Sequence, residues 1–392
     1  KIILFYFLFI LFTGIINNLI NYNIDNSSKD FEIIIKTIGY LRYLILYFVI
    51  RYLINKNFIN FKIFFIFSAI ASLFVSLDLI YQYIFGMDIF GYQGNIEGLR
   101  DTGPRRLAGP FGDEYIAGSF LQRFAIFSFF LIPIFFKINN KKVVIFITFL
   151  LFLLTIFSLV IAGNRMPIIL FIFTISLLFV LERNIRKYFF YFLVLTITIF
   201  FITYNVNSNV KKNYHNVHTK LSQFYSFFSS IKSNNQTVVK DHPYAITING
   251  NTAYMTNTYI KEFYSGYRTW LQNKYIGGGI KSYKLNCKRS GFINCAPHPH
   301  NYYIEILASI GLIGFFITSI IFAITIYNAF VKKYSTKISF KHNLIITPFI
   351  FLLFAEVFPI KSTGSFFTTG NATFVFLMLS ITISLSRLKN LN

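Results

Sequence analysis

Apolar runs of about 17–25 residues recur along most of this chain, the length that a hydrocarbon core roughly 30 Å thick demands of a helix. They lie near 2–20, 33–54, 63–85, 118–136, 143–161, 167–181, 189–204, 303–330, 344–360 and 372–386. In hydrocarbon every backbone N–H and C=O must find its partner inside the protein, so each run predicts a helix. The expected fold class is all-α, a polytopic membrane protein of about ten transmembrane helices with one large loop domain. The residue balance agrees, with 55% hydrophobic and 13% charged residues where soluble domains carry about 25% charged.

The formal charge is +23, from 37 Lys+Arg against 14 Asp+Glu. On a soluble protein that excess would point to nucleic acid. Here the short loops 55–62, 137–142, 182–188 and 331–343 hold many of the basic residues, with Glu182 as their only acid. All four fall on one side of the alternation, together with Lys1, Arg387 and Lys389. That is the positive-inside pattern, so this side reads as cytoplasmic and no nucleic-acid partner is expected. The opposite face receives 21–31, 86–117, the turn 162–166, the long segment 205–302 and the turn 361–371. Three parts follow: N-terminal transmembrane helices over 1–204 with the outer loop 86–117, a large outer loop over 205–302, and C-terminal transmembrane helices over 303–392. The long segment is basic, with Asp241 and Glu262 its only acids, which makes it attractive to phosphate. Ile2–Ile20 lacks a small-residue cleavage site and is long enough to span, so it reads as a helix, not a cleaved signal. The chain starts at Lys1 without Met, and a missing N-terminal part is expected.

Both cysteines, Cys287 and Cys295, lie in the long outer segment. In an oxidising compartment a pair so close favours a disulfide over free thiols. Zinc would need two further ligands, for which His298 and His300 are the only neighbours, so no metal site is expected.

Chemistry-bearing residues gather at the outer boundary. In Pro297–Gly314 a polar segment turns abruptly apolar, which sets His300 and Asn301 at the mouth of a helix. Pro297 and Pro299 discourage helix before His300, and Asn301 is a candidate N-cap. Ala308, Gly311 and Gly314 then share one face, where a second helix backbone is expected to pack closely. A lone His is ordinarily a satisfied interfacial side chain; its place between prolines, above small residues and beside a basic segment favours function. Arg268 and Trp270 precede Gly277-Gly278-Gly279, glycines expected to let backbone approach a ligand. Arg165 is the one charge in the tight turn Gly163–Pro167, placed to grip a diphosphate by paired hydrogen bonds. Arg105 and Arg106 open a further element, Arg105–Glu114. Asp78, Glu305 and Glu356 would each cost about 2.5–3.5 kcal/mol facing lipid at a helix centre. Pairing inside the bundle is expected for them, and Glu305, just over one turn from His300, is also a candidate to orient its ring.

His300-Asn301, nine residues, then Gly311-Leu312-Ile313-Gly314 resembles the signature of the bacterial O-antigen ligase and O-antigen polymerase superfamily. Arg268 with Trp270, Arg165 in its short turn, Arg106–Gly112, and Gly364-Ser365-Phe366-Phe367 through Ala372 resemble further elements of that family, in the same order. Ligases of this family usually have about two more spans, in keeping with a missing N-terminus or a shorter variant. The resemblance implies a multi-pass protein of the bacterial inner membrane whose active face is periplasmic. It implies a glycan donor on undecaprenyl diphosphate and, as acceptor, lipid A–core for a ligase or a second lipid-linked glycan for a polymerase. His300, Arg268 and Arg165 become the expected catalytic residues, with Arg105, Arg106, Asn301, Trp270 and Glu305 expected to bind substrate. No cofactor is implied, and membrane lipids are the remaining partners. A transporter would instead favour broken helices near midplane and internal repeats, and no repeat is visible in the sequence.

Overall fold

The computed structural model describes residues 1–25, 31–93, 106–136, 140–183, 186–215, 236–238, 245–248, 251–254, 258–292, 295–335, 339–359, 361 and 364–388. It is an all-α membrane protein in its apolar part. The helices are α1 Ile2–Asp25, α2 Glu32–Tyr40, α3 Arg42–Asn55, α4 Phe61–Phe85, α5 Ala117–Phe135, α6 Lys141–Ile161, α7 Arg165–Leu181, α8 Arg186–Val206 and α9 Ser208–His215. After the strands described below come α10 Thr258–Gln272, α11 Tyr283–Arg289, α12 Tyr302–Ser335, α13 Phe340–Glu356 and α14 Thr369–Arg387. Among the described residues eight helices, counting Glu32–Asn55 as one, are long and apolar enough to cross a membrane. The other two expected spans fall on the 17-residue helices α7 and α13, the latter carrying Pro348 inside it.

Local chemistry sets the ends of these helices. Asn60 and Asn140 cap α4 and α6, each accepting from the backbone N–H two residues on at 3.0 Å. Gly86 ends α4 at φ +84°, a left-handed stop that glycine adopts without strain. Large apolar side chains such as Phe67, Phe146, Phe201 and Phe316 stay exposed, as hydrocarbon rather than water would permit.

The chain divides into two compact units. The first holds Lys1–Ile54, His218–Ala329 and Val357–Ser384. Its membrane core is aromatic: Tyr43 stacks on Phe376 at 5.7 Å, and Phe7 meets Phe376 at 5.3 Å. The second holds Asn55–Val217, Phe330–Glu356 and Leu385–Asn392. In its core Phe65 and Phe349 both pack on Phe127, each at 5.0 Å. Its buried charges are partnered, as expected of costly groups in hydrocarbon. Glu356 receives Arg123 through two hydrogen bonds, at 2.6 and 3.2 Å, and Asp78 accepts from the N–H of Ile89 at 2.9 Å. At the far end of α12, buried Lys333 lies 3.2 Å from Glu182.

The long segment 205–302 adds what a purely helical reading omits. Gln236–Val238 (β1), Ala245–Ile248 (β2) and Asn251–Tyr254 (β3) form an antiparallel meander in the order β1-β2-β3. The local signal was Asn249-Gly250 between two β-favouring runs, a pair suited to a two-residue hairpin turn. Cys287 and Cys295 are joined as a disulfide with a Cα–Cα distance of 6.1 Å. Replacing both by serine is expected to cost about 2–3 kcal/mol, the chain-entropy value for so short a loop, read as a lower melting temperature in detergent.

Candidate active site

The first unit builds its site from a short helix laid against the head of a long one. α10 sends Ile260 and Tyr264 into a cluster with Tyr283, Cys287, Phe292 and Ala308. On another face Gly266 lets α10 approach Pro299 and Ile304 at bare-backbone range. A Cβ there would fall 2.3 Å from Ile304 Cγ2 and 2.9 Å from Pro299 Cβ. One turn earlier on α10, Glu262 faces His300, with Oε2 3.5 Å from Nε2. His300 adopts φ +51°, a left-handed conformation that few non-glycine residues take, and its ring centre lies 4.2 Å from that of His298.

Burial sets the protonation of this cluster. It pushes the Glu262 carboxyl up to about 7, against the opposing pull of Lys261. Burial, then the His300 ring, brings His298 down to about 4. Burial also holds His300 below the ordinary histidine value. Both imidazoles are therefore neutral at neutral pH, and His300 is able to accept a proton.

The head of α12 is fastened by the residues that follow His300. Asn301 Oδ1 accepts from the N–H groups of Tyr303 and Ile304 at 3.0 and 3.1 Å, the expected N-cap. Its Nδ2 donates to the carbonyl of Pro359 at 2.8 Å. Both polar atoms of Asn301 thus hold backbone. Glu305 is likewise taken up by the fold: it is 2% exposed and accepts from Ser365 Oγ at 2.5 Å and from the N–H of Phe366 at 2.6 Å. Lys361 donates to Tyr302 Oη at 3.0 Å. The sequence element around Ser365 and Phe366 serves here as the receiver for Glu305.

Gly311 and the Gly277–Gly279 run are joined to one another in the fold. Gly311 takes φ +67° and ψ −171°, which breaks α12. Through the break Leu312 N–H donates to Lys274 O at 2.8 Å and Ile313 N–H to Tyr275 O at 3.2 Å. The carbonyls of Ala308 and Ser309, which those groups would have bonded in a continuous helix, accept instead from Gly278 at 2.9 Å and Gly279 at 2.8 Å. The backbone approaching Gly311 therefore belongs to the loop 274–279, and Gly278 and Gly279 of the triple glycine bond to this helix. Gly314 is buried, and a Cβ there would first meet the Ile310 side chain of α12 itself at 2.4 Å. Asn17 of α1 donates to Gly277 O at 2.9 Å and Trp270 Nε1 to Lys274 O at 2.9 Å, so the Trp270 N–H anchors the loop. Arg268 stands on the same helix as Glu262, close enough to Tyr264 to oppose the rise that burial gives its hydroxyl.

The second unit carries the other arginines. Gly109 N–H donates to Gln82 Oε1 at 2.9 Å, and Leu107 N–H to Ala162 O at 3.4 Å, which joins the 106–112 element to the turn before α7. Asn164 Nδ2 donates to Tyr115 O at 2.9 Å across the same turn. Arg165 opens α7, and both it and Arg106 pull down a Tyr214 hydroxyl that burial pushes up. Arg106 and Arg165 thus share one electrostatic neighbourhood. Arg105 lies outside the described residues.

Residues 148–319 match the O-antigen ligase family. The matched stretch contains Arg165, Glu262, Arg268, the disulfide, His300 and both glycines of α12. It supports an O-antigen ligase- or polymerase-type membrane glycan transferase, a family that implies lipid-linked glycan substrates. No curated protein matches the chain. Two residues of this O-antigen ligase-like site were not foreseen as part of it. Glu262 was visible only as one of two acids in a basic segment. Gly266 has no local signature at all, because what it must avoid comes from a distant part of the chain.

Proposed function

We propose that the protein transfers a glycan from undecaprenyl diphosphate to an acceptor hydroxyl at the periplasmic face of the bacterial inner membrane, as an O-antigen ligase does. The observation that carries this reading is a neutral, half-buried His300 at the head of an apolar helix, within a stretch matching that family. His300 takes the proton of the acceptor hydroxyl as its oxygen bonds to the anomeric carbon of the donor sugar. The bond from that carbon to the diphosphate breaks, and the electron pair leaves with the diphosphate. Arg268 is assigned to the negative charge that develops there. Within the second unit, Arg106 and Arg165 are proposed to bind phosphate, on the family resemblance and their common neighbourhood at Tyr214. The segment 205–302 is proposed to lie in the periplasm, the reactive residues are proposed to work without a metal, and lipid A–core is the proposed acceptor.

A strain deleted for this chain is expected to lose all polymer from lipid A–core. Single repeat units still attached would make the protein a polymerase acting on a second lipid-linked glycan, and unchanged surface polysaccharide would overturn the transfer reading. Arg268→Ala is expected to lower transfer by about 10²-fold or more at an unaltered protein level, measured with lipid-linked donor and acceptor in the presence of a chelator. A reporter fused at residue 240 is expected to be active only outside the cytoplasm.

A further inference from the structure

We propose that Glu262 is the positioning residue of His300, holding the Nε2 edge of the ring so that Nδ1 faces the acceptor hydroxyl. The inference rests on the transfer reading above and names a residue that neither the motif nor the family match assigns. Its first support is placement. Glu262 is 8% exposed, yet it sits in a segment with little other acid, and its carboxylate lies 3.5 Å from the ring nitrogen of His300. The approach is built in, because Gly266 removes the side chain that would hold α10 away from Pro299 and Ile304. A second support is the backbone. His300 is held at φ +51° between Pro299 and the Asn301 cap, so the ring has a fixed base on which a carboxylate can set its rotation.

The chemistry follows from this arrangement. With Nε2–H turned to the Glu262 carboxylate, Nδ1 carries the lone pair. The acceptor proton passes to Nδ1, the acceptor oxygen bonds to the anomeric carbon, and the diphosphate departs with the electron pair of the broken bond. The imidazolium then faces a carboxylate, which stabilises it, and its proton leaves to water or to the departing diphosphate. The charged and titrating groups around the pair are Lys261 beside Glu262, Tyr283 at the start of α11, and His298 against the His300 ring.

The sign of the pH effect is fixed by these neighbours. The competent form has an ionised Glu262 and a neutral His300, so transfer rises with pH through the titration of the pair, near 7. Glu262→Gln removes the carboxylate and leaves His300 to titrate alone, below its ordinary 6.5. The acidic limb of the pH–rate profile is expected to move to lower pH, while the plateau falls by about 10²-fold with KM unchanged. Glu262→Asp keeps the charge and is expected to keep the limb near 7 with part of the rate. A purely structural role would lower the plateau without moving the limb, so that result overturns the proposal, as does a wild-type rate and profile in Glu262→Gln. Should Glu262→Gln fail to accumulate, the limb and rate of Glu262→Asp decide in the same terms. If His300→Ala transfers glycan normally, the transfer reading fails and this inference with it; an inactive His300→Ala beside a normal Glu262→Gln overturns the inference alone.

Discussion

His300→Ala is expected to lower glycan transfer by about 10²–10⁴-fold, the range a positioned general base contributes, while the protein still inserts and keeps its disulfide. The loss follows from the position of the ring, between Glu262 at 3.5 Å and His298 at 4.2 Å between ring centres, at the head of α12. Alanine also inherits the strain of φ +51°, a conformation worth about 1–2 kcal/mol in L-residues that lack a favouring side chain. His300→Asn separates the two effects, because asparagine tolerates the left-handed region and supplies no comparable base. Both variants should be inactive with lipid-linked donor and acceptor, and the asparagine variant should melt in detergent close to the wild type. A stable, active His300→Asn would remove His300 from the chemistry.

Gly311→Ala is expected to unfold the first unit rather than to weaken catalysis. The added Cβ would stand 2.2 Å from Tyr275 O and 2.5 Å from Ile276 N, and backbone atoms have no rotamer by which to move aside. Its φ of +67° adds strain of about 1–2 kcal/mol. If the loop withdraws, the four bonds linking residues 274, 275, 278 and 279 to α12 are lost, each worth about 0.5–1.5 kcal/mol net. Together these approach the roughly 5–15 kcal/mol by which a folded protein is stable at all. Gly291→Ala is the control: φ is +90°, but nothing lies within 4 Å of the new Cβ, so strain acts alone. The measurement is yield and melting temperature in detergent, with a large loss expected for Gly311→Ala and a small one for Gly291→Ala. Near-equal melting of the two would show that the loop does not depend on Gly311.

Most of the membrane architecture was legible because its signals are local. The length of each apolar run, the capping asparagines and the break before His300 act within one or two turns of chain. The exceptions are equally physical. The meander was missed because its strands are three or four residues long, too short for alternation to outweigh a helical background. The small residues of α12 suggested a partner helix; Ala308 does pack against side chains of α10 and α11, whereas the backbone entering at Gly311 is an irregular loop. Such a loop is tolerable against an apolar helix because its N–H and C=O groups replace the bonds the helix gives up. Glu305 was legible as a costly charge, but not that Ser365 and Phe366 would occupy it.

By itself the sequence determined the class of protein, the positions of the apolar helices, the cap at Asn301 and the resemblance carried by His300, Arg268 and Arg165. These depend on composition, period and spacing, which a linear chain displays directly. Only the tertiary structure decided which carboxylate meets His300, where Asn301 and Glu305 direct their polar atoms, and why Gly266, Gly277 and Gly311 must lack side chains. Those outcomes are distances between segments remote in the chain, as with Asn17 and Gly277, 260 residues apart. Packing brings them together, and burial then sets the charge state of Glu262 and the two histidines beside it.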